Sequence, residues 1–352
     1  MSKKAQFLAF LIIIAAAIFP SISAFSRPYR ELVDMHVCAN NIPPRYQWEN
    51  NAGYCGEVSL ISAGLYYGQY VSQYDARAIA CMDLPQNKSQ LLLGKNDLYA
   101  ATMMHLNAIE WDTYAEQNTD QFLAWVKQNV VKGYPVAIGI YMNEYLFYEN
   151  TDPDAGDSEY DHIVPVTGIG SNYSLGDPSY YGDDILYFSD NGVWGDTSNP
   201  PYHFAYGFDA CQASRKQANA KNGAIYSLSN DGSNYGIAIT GVMDLHKDTF
   251  PVRIDTNDNE ELPEIEDGSS VRPSPMPLTL TITVSNLEPN VHYNLYRYDS
   301  FESVPNSQFN AHASDASESW PIQINAGSTF VMTQEINSDE IAIYRAVMAS
   351  AP

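Results

Sequence analysis

The sequence predicts an α+β protein: a helical half, then an antiparallel sheet, then a small all-β sandwich. Apolar residues recur at helical spacing first at Val58, Ile61 and Leu65, then at Phe122, Leu123, Val126 and Val130. Short apolar runs bounded by Gly, Pro and Asp follow, as buried strands do. Beyond an acidic, Pro-rich stretch, Leu278-Thr279-Leu280-Thr281-Ile282-Thr283-Val284 alternates with period two. Helices first and sheet afterwards is the α+β order.

Taken in order, residues 1–24 read as an export leader. Lys3 and Lys4 precede an apolar run, Phe7 to Phe19, that falls short of the roughly 20 residues a membrane span needs. Small residues at Ser21, Ser23 and Ala24 then supply a cleavage site. A membrane anchor is the rival reading, which the length disfavours. The processed chain is therefore expected to be secreted or vacuolar. Residues 25–245 form the main domain, 246–277 an acidic Pro-rich linker and 278–352 a fibronectin-like β-sandwich.

Within the main domain a helix is expected from Gly56 to near Gly68, a second over Asp97 to Asn107, and a third capped by Asn118. Gly133-Tyr134-Pro135 ends the third, and Val136 to Ile140 follows as a strand. Strands at Ile163–Ile169 and Ile185–Phe188 are joined by a polar stretch holding Gly176-Asp177-Pro178 and Gly182-Asp183-Asp184, a hairpin-like connection. Past the linker, strands are expected at Leu278 to Val284, Tyr293 to Tyr298, Trp320 to Ile324 and Ile341 to Val347.

Net charge is −24, and removal of the two leader lysines makes it more negative. Such an excess argues against nucleic acid or an anionic membrane as partner. It suits a solvated surface, and also a preference for basic peptides. The Asp255 to Asn259 stretch with Glu266 has oxygen-ligand spacing, but Glu260 stands where a calcium loop needs glycine, so it reads as linker. Cys38, Cys55, Cys81 and Cys211 show no zinc spacing, so neither a structural metal nor a cofactor is expected. In an exported chain disulfides are the default, which would leave one bridge among Cys38, Cys81 and Cys211 if Cys55 stays free. Asn87-Lys88-Ser89 and Asn172-Tyr173-Ser174 fit the glycosylation pattern.

Chemistry points to Cys55. It lies in Asn51-Ala52-Gly53-Tyr54-Cys55-Gly56-Glu57, at the start of a predicted helix. His162 opens an apolar strand in Asp161-His162-Ile163-Val164-Pro165-Val166-Thr167-Gly168, and a later strand ends in Ser189-Asp190-Asn191-Gly192. A nucleophilic thiol must be a thiolate, and a helix N-terminus with an imidazolium is the usual means. Cysteine, histidine and Asp or Asn in this order make the arrangement of a thiol hydrolase.

These segments resemble the papain-like cysteine peptidase superfamily, and within it the C39-like peptidases. Gly53-Tyr54-Cys55-Gly56-Glu57 is similar to that group's nucleophile motif, and the runs from Gly133 and from Asp161 to its strand pattern. The resemblance covers roughly Pro43 to Gly195. It implies a papain-like fold and a cysteine peptidase, or a related amide or acyl-transfer enzyme, acting on peptide or protein. Cys55 would be nucleophile and His162 the base. The orienting residue is Asp190 by C39-like logic, or Asn191 by papain logic, since Asn191-Gly192-Val193-Trp194-Gly195 is similar to papain's Asn-Ser-Trp-Gly. Strand alternation lets one of the two face His162, with Asp190 preferred. Asp177 belongs to the hairpin loop. The family's oxyanion glutamine position is held by Glu49; Gln47 and Asn51 are the available amides, and Gln47 is preferred. The competing expectation is a catalytically inactive papain-like domain serving as a secreted binding or surface protein.

Overall fold

A computed structural model describes residues 36–192, 203–258 and 263–350. The expected leader lies outside the described residues, as does the Val193-Trp194-Gly195 stretch. The chain runs β1 (His36–Ala39), α1 (Cys55–Tyr66), β2 (Gln69–Tyr70), α2 (Gln73–Ala80), α3 (Asp97–Met103), β3 (Leu106–Glu110), α4 (Thr119–Val131), β4 (Val136–Met142), α5 (Glu144–Tyr148), β5 (His162–Ser171) and β6 (Ile185–Ser189). It continues as β7 (His203–Gly207), β8 (Gln212–Ala213), α6 (Arg215–Ala218), β9 (Tyr226–Ser229) and β10 (Gly236–Val242). The tail holds β11 (Thr249–Phe250), β12 (Val252–Thr256), β13 (Pro277–Val284), β14 (His292–Tyr298), β15 (Glu318–Gln323), β16 (Phe330–Asn337) and β17 (Ala342–Met348). This is a mixed helix and sheet protein with predominantly antiparallel pairing.

Local chemistry sets the helix ends. Asn118 Oδ1 accepts from Gln121 N at 2.9 Å to open α4, and Ser72 Oγ accepts from Asp75 N at 3.0 Å to open α2. The helix expected to reach Asn107 stops at Met103, because His105 turns left-handed (φ 52°) and the chain leaves as β3. α1 is buried on all sides from Gly56 to Leu65. A Cβ on Gly56 would stand 2.3 Å from the Leu91 carbonyl oxygen, so the close approach of that chain requires glycine.

The main sheet has the order β3-β10-β4-β5-β6-β7, with β1 on β5 and β9 on β4. Strand alternation divides its two faces. Ile138, Ile140, Val164 and Val166 pack with Phe122, Leu123, Val126 and Val130 of α4. Ala137, Ile163, Ile237 and Ile239 turn to the other side, where they join Leu60 and Ile61 of α1. Buried Lys127 bonds Asp184 at 2.6 Å and ties α4 to the β5–β6 connection.

The tail forms two antiparallel sheets, β11-β17-β14-β15 and β12-β13-β16. In β13 the predicted alternation is realised, with Leu278, Leu280, Ile282 and Val284 buried. The tail is nevertheless not set apart by its own core. β2 of the helical half pairs with β17, Gln69 opposite Ile343, and buried Arg345 donates to Gln69 Oε1 at 3.0 Å. One apolar cluster runs from Leu60 and Ile61 through Val252 to Leu280 and Tyr344. The linker bounds 246–277 also need correction. Residues 249–250 and 252–256 are strands paired with β17 and β13, where Arg253 holds Asp255.

All four cysteines are free thiols, so the expected bridge among Cys38, Cys81 and Cys211 is not made. They sit on β1, at the end of α2 and at the turn before β8, and Cys38 and Cys81 donate instead to the Val130 and Gln90 carbonyls. Among the described residues no helix is long and apolar enough to cross a membrane.

Candidate active site

Antiparallel pairing of β5 with β6 returns the end of β6 to the start of β5. That topology brings His162, the first residue of β5, beside Asp190, the residue after β6. His162 Nε2 and Asp190 Oδ1 are 2.8 Å apart, both buried. The bond occupies Nε2 and leaves Nδ1 for another partner. Burial disfavours the His162 imidazolium, but the Asp190 charge, the hydrogen bond to it and a hydrogen bond to Cys55 act the other way. The balance raises its pKa from 6.5 to about 10.

Asp190 is itself held at both oxygens. Gly192 N donates to Oδ1 at 2.7 Å, and the hydroxyl of Tyr226, on β9, donates to Oδ2. Asn191 faces away from the imidazole. Its Nδ2 donates to the Cys55 carbonyl at 3.1 Å, to Ser59 Oγ at 3.1 Å and to the Ile163 carbonyl at 3.3 Å. The two neighbours thus do different things, one contacting His162 and the other joining α1 to β5.

Cys55 is half-buried at the first position of α1, and no side chain caps that end. Its first-turn N–H groups are of the kind that stabilise an oxyanion. Gln47 completes this corner. Its backbone N–H donates to the Asn191 carbonyl at 2.9 Å. Cβ atoms built on Gly53 and Gly192 would stand 3.4 and 2.9 Å from Gln47 Nε2, and the one on Gly192 also 3.3 Å from His162 Cε1. The amide therefore lies between the nucleophile loop and the imidazole, and a side chain at position 192 would push it aside.

Beneath the loop, Arg77 is wholly buried. It donates to Glu57 Oε1 at 2.6 Å, to the Asn51 carbonyl at 3.2 Å and to the Gly53 carbonyl, and lies over the Tyr54 ring. Sequence reasoning missed Arg77, Tyr226 and Ser59. Glu57 inside an apolar helix was the one available signal, because a buried carboxylate demands a partner. Asp177 lies in the β5–β6 connection, where hydrogen bonds from Ser179 and Tyr181 lower its pKa to about 2. Asp161, next to the histidine, pairs with Arg215 instead. Among the described residues no cluster of His, Cys, Asp and Glu is arranged to hold a metal.

Comparison with family models, with curated proteins and with solved structures gives no match to this chain.

Proposed function

We propose that the chain is a secreted cysteine peptidase, or a related amide- or acyl-transfer enzyme, with a papain-like catalytic centre acting on peptide or protein substrates. The observation that carries this reading is His162 held at Nε2 by Asp190, with Cys55 at the uncapped head of α1 as its other partner. Cys55 Sγ attacks the substrate carbonyl carbon while the oxyanion meets the Cys55 N–H and the Gln47 amide. The proton on His162 Nδ1 passes to the leaving amine, the C–N bond breaks and a thioester remains. Water then gives a proton back to His162 and its hydroxide adds to the thioester, releasing acid and thiolate. Asp190 keeps the ring oriented through both steps.

Iodoacetamide labelling at pH 6 tests this reading. Expected is stoichiometric modification at Cys55, lost in Cys55→Ser and slowed in His162→Ala. Equal labelling of Cys38, Cys81 and Cys211 would leave the catalytically inactive binding protein as the better account.

A further inference from the structure

The turn before Cys55 is held in place by the chain that leads into the tail. Asn51, Ala52 and Gly53 are successive left-handed residues, with φ of 55°, 64° and 82°. Two of the three carry a Cβ, so isolated peptide would not keep this shape. Segment 264–269 crosses it with a dense set of bonds. Asp267 Oδ1 accepts from Asn51 N at 3.0 Å, Gly268 N donates to Asn51 Oδ1 at 2.8 Å, and Asn51 Nδ2 donates to the Ser269 carbonyl at 2.8 Å. Asn50 Nδ2 adds a 2.7 Å bond to the Ile265 carbonyl. Ile265 is 1% exposed although Glu264 and Glu266 beside it face solvent. Its side chain fills a small cluster with Trp48 and Tyr54, the neighbours in sequence of Gln47 and Cys55.

We propose that segment 264–269 is a working part of the active site, clamping the Asn51–Gly53 turn and so setting where Cys55 and Gln47 stand. The proposal rests on the reading of Cys55 as nucleophile. Asn51 and Ile265 are then positioning residues that act through their neighbours. The clamp also gives the stretch leading into the tail a role in the chemistry without supplying a reacting group.

Full-length Asn51→Gly, Ile265→Ala and Ile265→Val test it by the rate of Cys55 alkylation, amide exchange over Gly53 to Gly56, and near-UV circular dichroism. Glycine accepts φ of 55° freely, so Asn51→Gly removes the side-chain clamp without adding backbone strain. Expected in Asn51→Gly and Ile265→Ala is a fall of roughly 10- to 100-fold in rate, faster local exchange and an unchanged dichroism spectrum. The pH at which the rate declines should not move, since His162 and Asp190 are untouched. Ile265→Val should restore the rate. Rates within about twofold of the unsubstituted chain, or slowing that comes with exchange opened throughout β13 and β14, would overturn the proposal. If the unsubstituted Cys55 is itself unreactive, the functional reading fails. The exchange data then decide the clamp alone, with unaltered protection in Asn51→Gly overturning it.

Discussion

The Tyr226 hydroxyl donates to Asp190 Oδ2, the oxygen that His162 leaves free. Asp190 therefore presents Oδ1 to the imidazole with its rotamer held from the opposite edge. Tyr226 is 1% exposed, so no solvent can replace the hydroxyl at that oxygen. Tyr226→Phe keeps the ring packing against Phe188 and Phe204 while leaving a buried carboxylate oxygen without its donor. The expected cost is about 1–3 kcal/mol of unfolding free energy in urea, with slower Cys55 alkylation. Unchanged stability and rate would show the contact to be dispensable.

Asp190 and Asn191 are separable by mutation because they touch different groups. Asp190→Ala leaves the imidazole without its orienting partner and should lower turnover by roughly 10²- to 10⁴-fold. Asn191→Ala strips a donor from the Cys55 carbonyl, Ser59 Oγ and the Ile163 carbonyl. It should show mainly as lost stability, about 1–3 kcal/mol. Asp177→Ala should stay within a few-fold of the parent rate. A larger effect at Asp177 than at Asp190 would refute the assignment.

Parts of this arrangement were legible in the sequence because short-range rules produce them. A histidine opening one strand and an acid ending the next must meet when the two pair antiparallel, and β5 with β6 do. The Asn118 cap and the period-two run at Leu278 were readable on the same grounds. Tyr226 was not, because β9 reaches the site by pairing with β4, far away in sequence, and no local period announces that. β12 was hidden by Arg253 and Asp255, charged residues on its solvent side whose mutual bond shows only in the fold. β2 has just two residues, too few to show a period, yet it joins the halves.

The raised pKa of His162 fixes the sign of a pH dependence. A group whose folded pKa lies above its unfolded value adds stability that is complete below the unfolded pKa and is lost as pH rises through the folded one. For His162 the window runs from 6.5 to about 10. The stability difference between the parent chain and His162→Gln should therefore be greatest near pH 6 and shrink steadily toward pH 10. Urea unfolding of both proteins at several pH values measures it. A difference that grows with pH would mean that burial outweighs Asp190.

The remaining thiols should resist alkylation. Burial raises the pKa of Cys38 and Cys81, and it pushes Cys211 up to about 12. Thiolate is the reacting form, so these three stay protonated at pH 6 to 8. Mass mapping after limited iodoacetamide treatment should find them modified only once urea unfolds the chain. Early modification of Cys211 in the folded protein would contradict its burial.

The tail should not fold as a separate unit, despite its own strand pattern. Removing residues beyond Asp267 would take β13 to β17 away from the apolar cluster that holds Leu60, Ile61 and Tyr70. It would also strip β2 of its partner and leave Gln69 without Arg345. The opposite fragment fares no better, since Arg345 is 1% exposed and its bonds to Gln69 and the Tyr67 carbonyl lie across the junction. Without the first half those bonds are lost, and apolar residues of the shared cluster such as Leu280 and Tyr344 lose their partners across the junction. Urea unfolding followed by Trp320 fluorescence in a chain with its other tryptophans replaced by phenylalanine, and by far-UV circular dichroism, should therefore give coincident midpoints. A chain ending at Asp267 should lose the preference of labelling for Cys55 along with its cooperative transition, all four thiols reacting as in the urea-unfolded protein. Two separated midpoints, or a truncated chain that keeps the preference for Cys55, would show that the cluster crossing the junction adds little to either half.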